Sequence, residues 1–494
     1  MKRLISIVLV ALFLVSSASA RLPQNHSFRL SNTPDSRISS SGIVDIRFDG
    51  WNVWVATGEG LSITRNAGQT WTYITHNQGI GRGSVTALDV RNNEIWAATG
   101  FDSLTSADSS PLPAGGGVGY SLDDGNTWTW FPQPVDSRDE TAYKPTTTNV
   151  QNITYDLALT ESAVWIASFG GGLRRSTDKG KTWQVVTVDG LPFDALGQLT
   201  HRAFSVHYDG KALWAGTAGG VHKSTDGGQT WITYSHQNQQ RGISGNFVVA
   251  IATQNLDGRS VVWAGTKETT IESGDSTEFM AASMSEDGGM TWSTPLKNEF
   301  VHNFAFDGYT VYAASDNGLF KSLDGGETWA VFPKIVDDRD GTTVYSNSAS
   351  CAGIGPDLSL WVGTDDGLAV TTDDGLSWRV FRGFERPGEA GTPDTYAYPN
   401  PFSPLRHNLS GEEGHVRFQY RTKAPTRVTL RIYDFGMHLV STVVKDKIRS
   451  SPGDFAEVWN GMNGVGDTVA NGVYFYKIEL EGQGTFWGKV MVLN

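Results

Sequence analysis

The sequence predicts an all-β protein, a seven-bladed β-propeller followed by a small β-sandwich. Three observations predict it. An eight-residue motif recurs seven times along most of the chain, and a four-residue strand pattern precedes every copy. The composition is the third, since 57 glycines and 17 tryptophans combine the residue that makes tight turns with a side chain that buries a large area. Repeat units of this length indicate a single repeat architecture.

The recurring motif reads Ser/Thr-x-Asp/Asn-x-Gly-x-Thr/Ser-Trp. Its residue types suit a strand reversal, because Asp226 can accept hydrogen bonds from a turn, Gly228 can take a positive φ, and Trp231 can fold onto the hairpin. We therefore expect a structural motif and neither a catalytic group nor a metal ligand. The third position is Asn66, Asp123, Asp178, Asp226, Asp287, Asp324 or Asp373, and the last is Trp71, Trp128, Trp183, Trp231, Trp292, Trp329 or Trp378.

The preceding pattern is an aromatic residue, any residue, Ala or Gly, and then Ser or Thr. It is led by Trp54, Trp96, Trp165, Trp214, Trp263, Tyr312 and Trp361. The small residue lies on the same strand face as the aromatic one and lets a neighbouring sheet approach closely. With an alternating strand before it, each repeat parses as four strands, and seven such units predict a propeller over residues 43–384.

At these residues the chain resembles the Asp-box (BNR) propeller families. They include sialidases, xyloglucan-type glycoside hydrolases, sortilin-like receptors and photosystem II assembly-factor-like propellers. The resemblance implies the fold and leaves the activity open, because these families differ in what they do.

Long connections identify the face on which a ligand is expected. They join the second and third strands of a repeat, or one repeat to the next, so they emerge opposite the motif turns; we call this the long-loop face. Two of the connections are near copies, from Phe131 to Thr141 and from Phe332 to Thr342. They present either a charged ligand-binding rim or ion pairs that rigidify a loop. The candidate ligand-binding residues are Asp136, Arg138, Asp139, Asp337, Arg339 and Asp340.

A binding protein is favoured over an enzyme. A glycosidase needs two carboxylates flanking the scissile bond, and the sequence does not pair any two acids on the long-loop face. The arginine triad and tyrosine nucleophile of sialidases cannot be located either. We expect no catalytic residue, metal or cofactor, and keep a glycoside hydrolase or lyase acting on extracellular polysaccharide as the alternative.

The ends of the chain predict export. Residues 1–20 combine Lys2 and Arg3, an apolar run and an Ala18-Ser19-Ala20 site, as in a secretory signal peptide. Residues 21–42 form a lead, and no later segment is apolar enough to span a bilayer. The formal net charge of −13 argues against nucleic acid as a partner, and the single cysteine, Cys351, forbids an internal disulfide.

A Gly/Pro linker over 385–395 ends the repeats, and alternating runs over 396–494 predict the β-sandwich. Its landmarks are the segments that begin at Tyr398, Leu430 and Trp459. They resemble the FlgD-type Ig-like domain and the type IX secretion sorting domains, which implies an Ig-like module that serves export or cell-surface attachment. The sequence thus predicts a secreted or surface-held protein whose partners are a protein or glycan ligand and an export or sorting machinery.

Overall fold

A computed structural model gives the structure of residues 24–26, 35–104, 110–268, 278–339, 341–389, 391–405 and 414–493. Nine antiparallel sheets, numbered here in chain order, hold nearly all of the regular structure in these ranges, together with two short 3-10 turns at His76–Gln78 and Leu199–His201. In the same ranges no helix is long and apolar enough to cross a membrane. The predicted signal peptide lies outside the described residues.

Sheets 1 to 7 each contain four strands that are consecutive in the sequence and adjacent in space. Their bounds follow in chain order: sheet 1, Ile43–Asp49, Asn52–Thr57, Gly60–Thr64, Thr72–Ile74; sheet 2, Ser84–Arg91, Glu94–Ser103, Leu112–Ser121, Trp128–Phe131; sheet 3, Thr154–Leu159, Val164–Ser168, Gly172–Ser176, Gln184–Val186; sheet 4, Ala203–Tyr208, Leu213–Thr217, Gly220–Ser224, Ile232–Tyr234; sheet 5, Phe247–Leu256, Arg259–Lys267, Ala281–Ser285, Ser293–Lys297; sheet 6, Val301–Asp307, Thr310–Ser315, Gly318–Ser322, Ala330–Val331; sheet 7, Ala349–Ile354, Leu360–Thr364, Gly367–Thr371, Arg379–Phe381.

These sheets are arranged as a propeller. The first strand of each sheet contacts the first strand of the next, and that of sheet 7 contacts that of sheet 1. The ring therefore closes, with the Ser350 hydroxyl donating to the Ile43 carbonyl oxygen at 2.6 Å. The all-β prediction and the propeller are confirmed.

The two sequence motifs meet across neighbouring sheets. Trp165 in the second strand of sheet 3 lies edge-on to Trp231 of sheet 4, with ring centroids 6.2 Å apart. Gly228 has φ +85°, and a Cβ there would lie 2.3 Å from the Trp165 ring, so glycine serves both the turn and the close approach of the sheets. The same edge-on contact joins Trp96 to Trp183, Trp263 to Trp329, and Trp361 to Trp71.

The N-terminal lead does not join the last sheet. Residues Gln24–His26 add a strand to the outer edge of sheet 2, pairing with Trp128–Trp130. Asp35 exchanges backbone hydrogen bonds with Trp71 of sheet 1. Sheets 1 and 7 are consequently each built from their own consecutive strands.

The C-terminal strands form sheets 8 and 9, packed around one core that contains Phe418, Tyr420, Ile432 and Tyr476. In spatial order, sheet 8 consists of Thr395–Tyr398, Val416–Thr422 and Gly453–Trp459, and sheet 9 of Leu439–Arg449, Thr426–Tyr433, Gly472–Leu480 and Gly484–Val492. Two stacked antiparallel sheets are a β-sandwich, as predicted.

The sandwich is docked against the long-loop face of the propeller at sheet 7. Asp366, which is 3% exposed, accepts a hydrogen bond from Arg417 Nη2 at 2.5 Å and lies 3.4 Å from Arg382 Nε. His415 stacks near Tyr345 with ring centroids 4.8 Å apart. Because Asp366, Arg417 and His415 are all buried, the two units share a specific interface.

Candidate functional site

The motif carboxylates are used inside their own turns. Asp226 accepts from the Ser224 hydroxyl at 2.8 Å, from the Thr230 N–H at 3.0 Å and from the Thr230 hydroxyl at 2.6 Å. These bonds hold the pKa of Asp226 below its ordinary value. The amide Oδ1 of Asn66 accepts the equivalent two bonds from Thr64 and Thr70. The same side-chain bond from Ser or Thr recurs at Asp123, Asp178, Asp287, Asp324 and Asp373.

The first candidate loop directs its aspartate into the protein. Both oxygens of Asp136 accept from Arg174, Nη1 and Nη2 each at 2.9 Å, and the two side chains are 8% and 2% exposed. Arg174 also donates from Nε to the Gly171 carbonyl oxygen at 2.9 Å. The partner of Asp136 is thus a buried arginine of sheet 3 and not Arg138 of its own loop, which is exposed like Asp139.

In the second candidate loop, the aspartate pairs with the arginine of the same loop. Asp337 is 3% exposed and accepts from Arg339 Nη2 at 2.6 Å and from the Val380 N–H at 2.8 Å. Burial opposes ionisation of Asp337, but the bonds from Arg339 and Val380 outweigh it and lower the pKa. Asp340 lies outside the described residues. The loop is therefore fastened to the fourth strand of sheet 7, at the outer edge of the propeller.

A central cavity of about 510 Å³ opens on the long-loop face, and neither candidate loop lines it. Its walls are mostly residues at the start of the first strands, among them Val44, Asp45, Tyr155, Asp156 and His302. Each first strand has one bulged residue at this point. A bulge re-aims the local side chains, so the first strands of six sheets, all except sheet 4, turn non-equivalent residues toward one space.

One guanidinium at the wall of this cavity sits among three carboxylates. Arg47 Nη1 donates to Asp45 at 2.6 Å, and Arg47 Nε lies 3.8 Å from Asp89. The Asp156 oxygens accept from the Leu157 N–H and, across the sheet boundary, from the Val206 N–H, both at 2.9 Å. Asp89 makes the same two kinds of bond. These acids satisfy backbone groups on the inner edges of the sheets.

Burial changes the ionisation of the cavity groups. It raises the pKa of Asp45 to about 6 and that of Asp156 to about 7, in spite of the nearby Arg47. Burial also raises the pKa of Asp365 at the cavity wall. Asp316, also in the wall, is hydrogen-bonded to His302 Nε2 at 2.7 Å. Four carboxyl groups thus make the cavity acidic.

Aromatic side chains continue from the cavity across sheets 3, 4 and 5. Tyr155, which is 41% exposed, lies 5.6 Å from Phe204, and Phe204 lies 4.3 Å from Phe247 and 6.0 Å from Phe169, between ring centroids. The Arg202 guanidinium is 5.5 Å from the Phe169 ring. We call Tyr155, Phe169, Phe204 and Phe247 the aromatic row. It joins a cavity rich in hydrogen-bonding groups to an apolar surface, the usual composition of a ligand site.

Neither the cavity nor the aromatic row was evident from the sequence. The repeat pattern locates the strands, but it does not say which variable positions face the axis. A usable signal was present, since Asp45, Arg47, Asp89 and Asp156 are charged residues within the first strands of three consecutive repeats. Among the described residues, no group of three or more His, Cys, Asp and Glu is arranged to hold a metal ion.

No family model matches the chain, and no curated protein matches it. Solved structures do. The Niastella koreensis GH74 enzyme is 13% identical with a TM-score of 0.51, over 93% of this chain and 74% of that one. The extracellular domain of the putative one-component system BT4673 from B. thetaiotaomicron is 14% identical with a TM-score of 0.43, over 80% of this chain and 44% of that one. YCF48 bound to D1 peptide is 16% identical with a TM-score of 0.42, over 69% and 98%.

These likenesses concern the fold. Only the first of the three reaches a TM-score of 0.5, and at 13% identity it shows a shared architecture and nothing about the reaction. The chain spans less than half of the BT4673 structure, at 44%. The fold and the likeness to the GH74 structure define a β-propeller protein. The ligand that it binds depends on the residues of its own site.

Proposed function

We propose that this protein is an exported, non-catalytic propeller that binds a protein or glycan ligand on its long-loop face. The observation that carries the proposal is the aromatic row beside the acidic central cavity. Ring faces pack against apolar side chains or sugar rings, and the cavity groups supply hydrogen bonds that orient a polar end. The predicted rim residues Asp136 and Asp337 would act indirectly, by holding the loops around this surface.

The bonding of the cavity acids supports a non-catalytic role. A general acid or base needs an oxygen that can reach the substrate. Both oxygens of Asp156 accept backbone N–H groups, and so do both oxygens of Asp89. Asp45 accepts from Arg47 and from the Ile46 N–H with the same oxygen, Oδ1. Asp89 and Asp156 are thus placed to join neighbouring sheets.

A binding screen with matched variants tests the proposal. The purified chain without residues 1–20 is applied to glycan and peptide arrays, and hits are titrated calorimetrically. Tyr155→Ala and Phe204→Ala should weaken the best hit about tenfold. Tyr309→Ala is the control, because Tyr309 is 54% exposed but lies in a turn on the opposite face. If Tyr155→Ala and Phe204→Ala both bind the hit as tightly as the unsubstituted chain, the proposal is contradicted.

Glycoside hydrolysis is the second candidate, and one observation favours it. The pKa values of Asp45 and Asp156, about 6 and about 7, are those of carboxyl groups that can hold a proton for a leaving group near neutral pH. A screen for reducing-sugar release decides between the two functions. Release that disappears in Asp156→Asn while Asp139→Asn retains it would replace binding by catalysis.

We further propose that the C-terminal sandwich serves secretion or surface attachment. The support is its resemblance to sorting modules and its position as a separate core beyond the propeller. Localisation of the full chain is compared with that of a chain ending at residue 395. Because truncation also removes Arg417 from buried Asp366, a full-length Arg417→Ala variant controls for loosening of the propeller. Unchanged localisation of the truncated chain would refute the sorting role.

A further inference from the structure

The outward face of sheet 9 carries an aromatic surface that no contact with the propeller covers among the described residues. Alternation along the strands sends Ile432, Tyr476 and Ile478 into the sandwich core, where each is at most 1% exposed. Their neighbours in the sequence must then point to solvent. Three outward positions of this sheet are aromatic, namely Tyr433, Phe475 and Trp487. The fold does not require aromatic residues there, since polar side chains would suit a solvent-facing position equally well.

The rings form a connected platform across three adjacent strands. Tyr433 and Trp487 lie 5.6 Å apart between centroids, and Phe475 is the direct cross-strand neighbour of Tyr433. Phe435 extends the platform, 6.3 Å from Phe475. Trp487 is 48% exposed and Phe435 is 81% exposed. With strands about 4.8 Å apart, the platform is wide enough for more than one sugar ring.

Positive charge surrounds the rings. Arg431 and Lys477 both donate to Glu479, Lys477 at 2.7 Å, so two cations share one carboxylate. Lys477 Nζ also lies 5.7 Å from the Trp487 ring. Lys489, directly opposite Phe475 in the sheet, is exposed and forms no ion pair within the described part of the chain. The platform therefore has a local positive surplus in a chain whose formal net charge is −13.

We propose that this face, defined by Tyr433, Phe475, Trp487, Lys477 and Lys489, binds an acidic polysaccharide. Sugar rings stack on the platform, and the carboxylates of the polysaccharide pair with Lys489 and with the Arg431 and Lys477 cations. Charge complementarity selects this occupant. A second copy bound through the same face would bring two positively charged surfaces together, and a nucleic acid would need more cations than this surface holds.

Calorimetric titration of the full chain without residues 1–20 with oligogalacturonate tests the proposal. Trp487→Ala removes the ring on the edge strand and should weaken binding about tenfold, as loss of one stacking platform does for other ring ligands. Lys489→Glu reverses an exposed charge without touching the core and should weaken it by a similar factor, with a smaller salt dependence. Trp51→Ala is the matched control, since Trp51 is 65% exposed in a turn of the propeller.

Four outcomes overturn the proposal. They are no binding of oligogalacturonate, binding that both variants leave unchanged, equal binding of neutral maltodextrin, and tighter binding of polyglutamate or oligothymidylate than of the acidic sugar. Self-association that Lys489→Glu abolishes would assign the face to a second copy instead. Binding of oligogalacturonate that Trp487→Ala and Lys489→Glu weaken, and Trp51→Ala does not, establishes it.

Discussion

Replacing Asp156 by asparagine should change how the stability of the propeller depends on pH. The pKa of Asp156 is about 7 in the folded protein, against an ordinary value of 3.8. A carboxyl group with a raised folded pKa disfavours the folded state once it ionises, so stability is fully present below pH 3.8 and is lost as the pH rises to 7. The amide of the substituted side chain cannot ionise, and the variant should lack this loss.

The magnitude follows from the same two values. Each pKa unit corresponds to about 1.4 kcal/mol, so ionised Asp156 costs the folded state about 4 kcal/mol above pH 7. Part of that loss is already present at pH 5, and the cavity admits water to this side chain. We therefore expect the wild-type chain to lose about 2 to 3 kcal/mol relative to Asp156→Asn between pH 5 and pH 8.

Urea unfolding followed by tryptophan fluorescence measures this difference at both pH values. His207 titrates in the opposite sense, because burial lowers its pKa to about 4 and the folded state weakens as the pH falls below about 6.5. That effect is common to both chains and cancels in the comparison. Asp139→Asn, at an exposed loop position, is the control. Parallel pH profiles for wild type and Asp156→Asn would refute the reasoning.

Three further predictions concern the buried contacts. Asp136→Ala leaves Arg174 unpaired at 2% exposure and should lower the free energy of unfolding by about 3 to 5 kcal/mol, whereas Asp139→Ala should change it little; chemical denaturation checks both. Asp366→Asn removes the carboxylate between the propeller and the sandwich, and should speed proteolytic cleavage within residues 385–395. Cys351 is 1% exposed and burial raises its thiol pKa, so iodoacetamide should label it only after unfolding; rapid labelling of the native protein would contradict this.

The fold was predictable because it is specified many times. The glycine at Gly228 and the tryptophan at Trp165 recur in most repeats, and each copy of the pattern is evidence for the others. Their contact across two sheets gives the reason for the recurrence, since a side chain at Gly228 would collide with the Trp165 ring. The repeated pattern thus reflects the packing between neighbouring sheets, which is the same around the propeller.

The candidate site was not predictable in the same way, because it depends on what the repeats do not share. Arg47, Asp89 and Asp156 occupy first strands of different sheets, and only the packing of neighbouring sheets brings them together. The loop prediction rested on two near-copy connections whose charged residues could form a ligand-binding rim or ion pairs. Asp337 does pair with Arg339 of its own loop, whereas Asp136 pairs with Arg174 in the third strand of sheet 3, so the similarity of the two loops did not identify both partners.

The docking of the sandwich at sheet 7 makes the two sides of the long-loop face unequal. Asp366 and Tyr345 are covered there by Arg417 and His415, whereas the aromatic row lies on sheets 3 to 5, across the ring. The sandwich therefore shields one side of this face from a large ligand while the chain is intact. Cutting the linker and separating the sandwich would expose the shielded side, so the processed and unprocessed proteins would offer different surfaces to the same ligand.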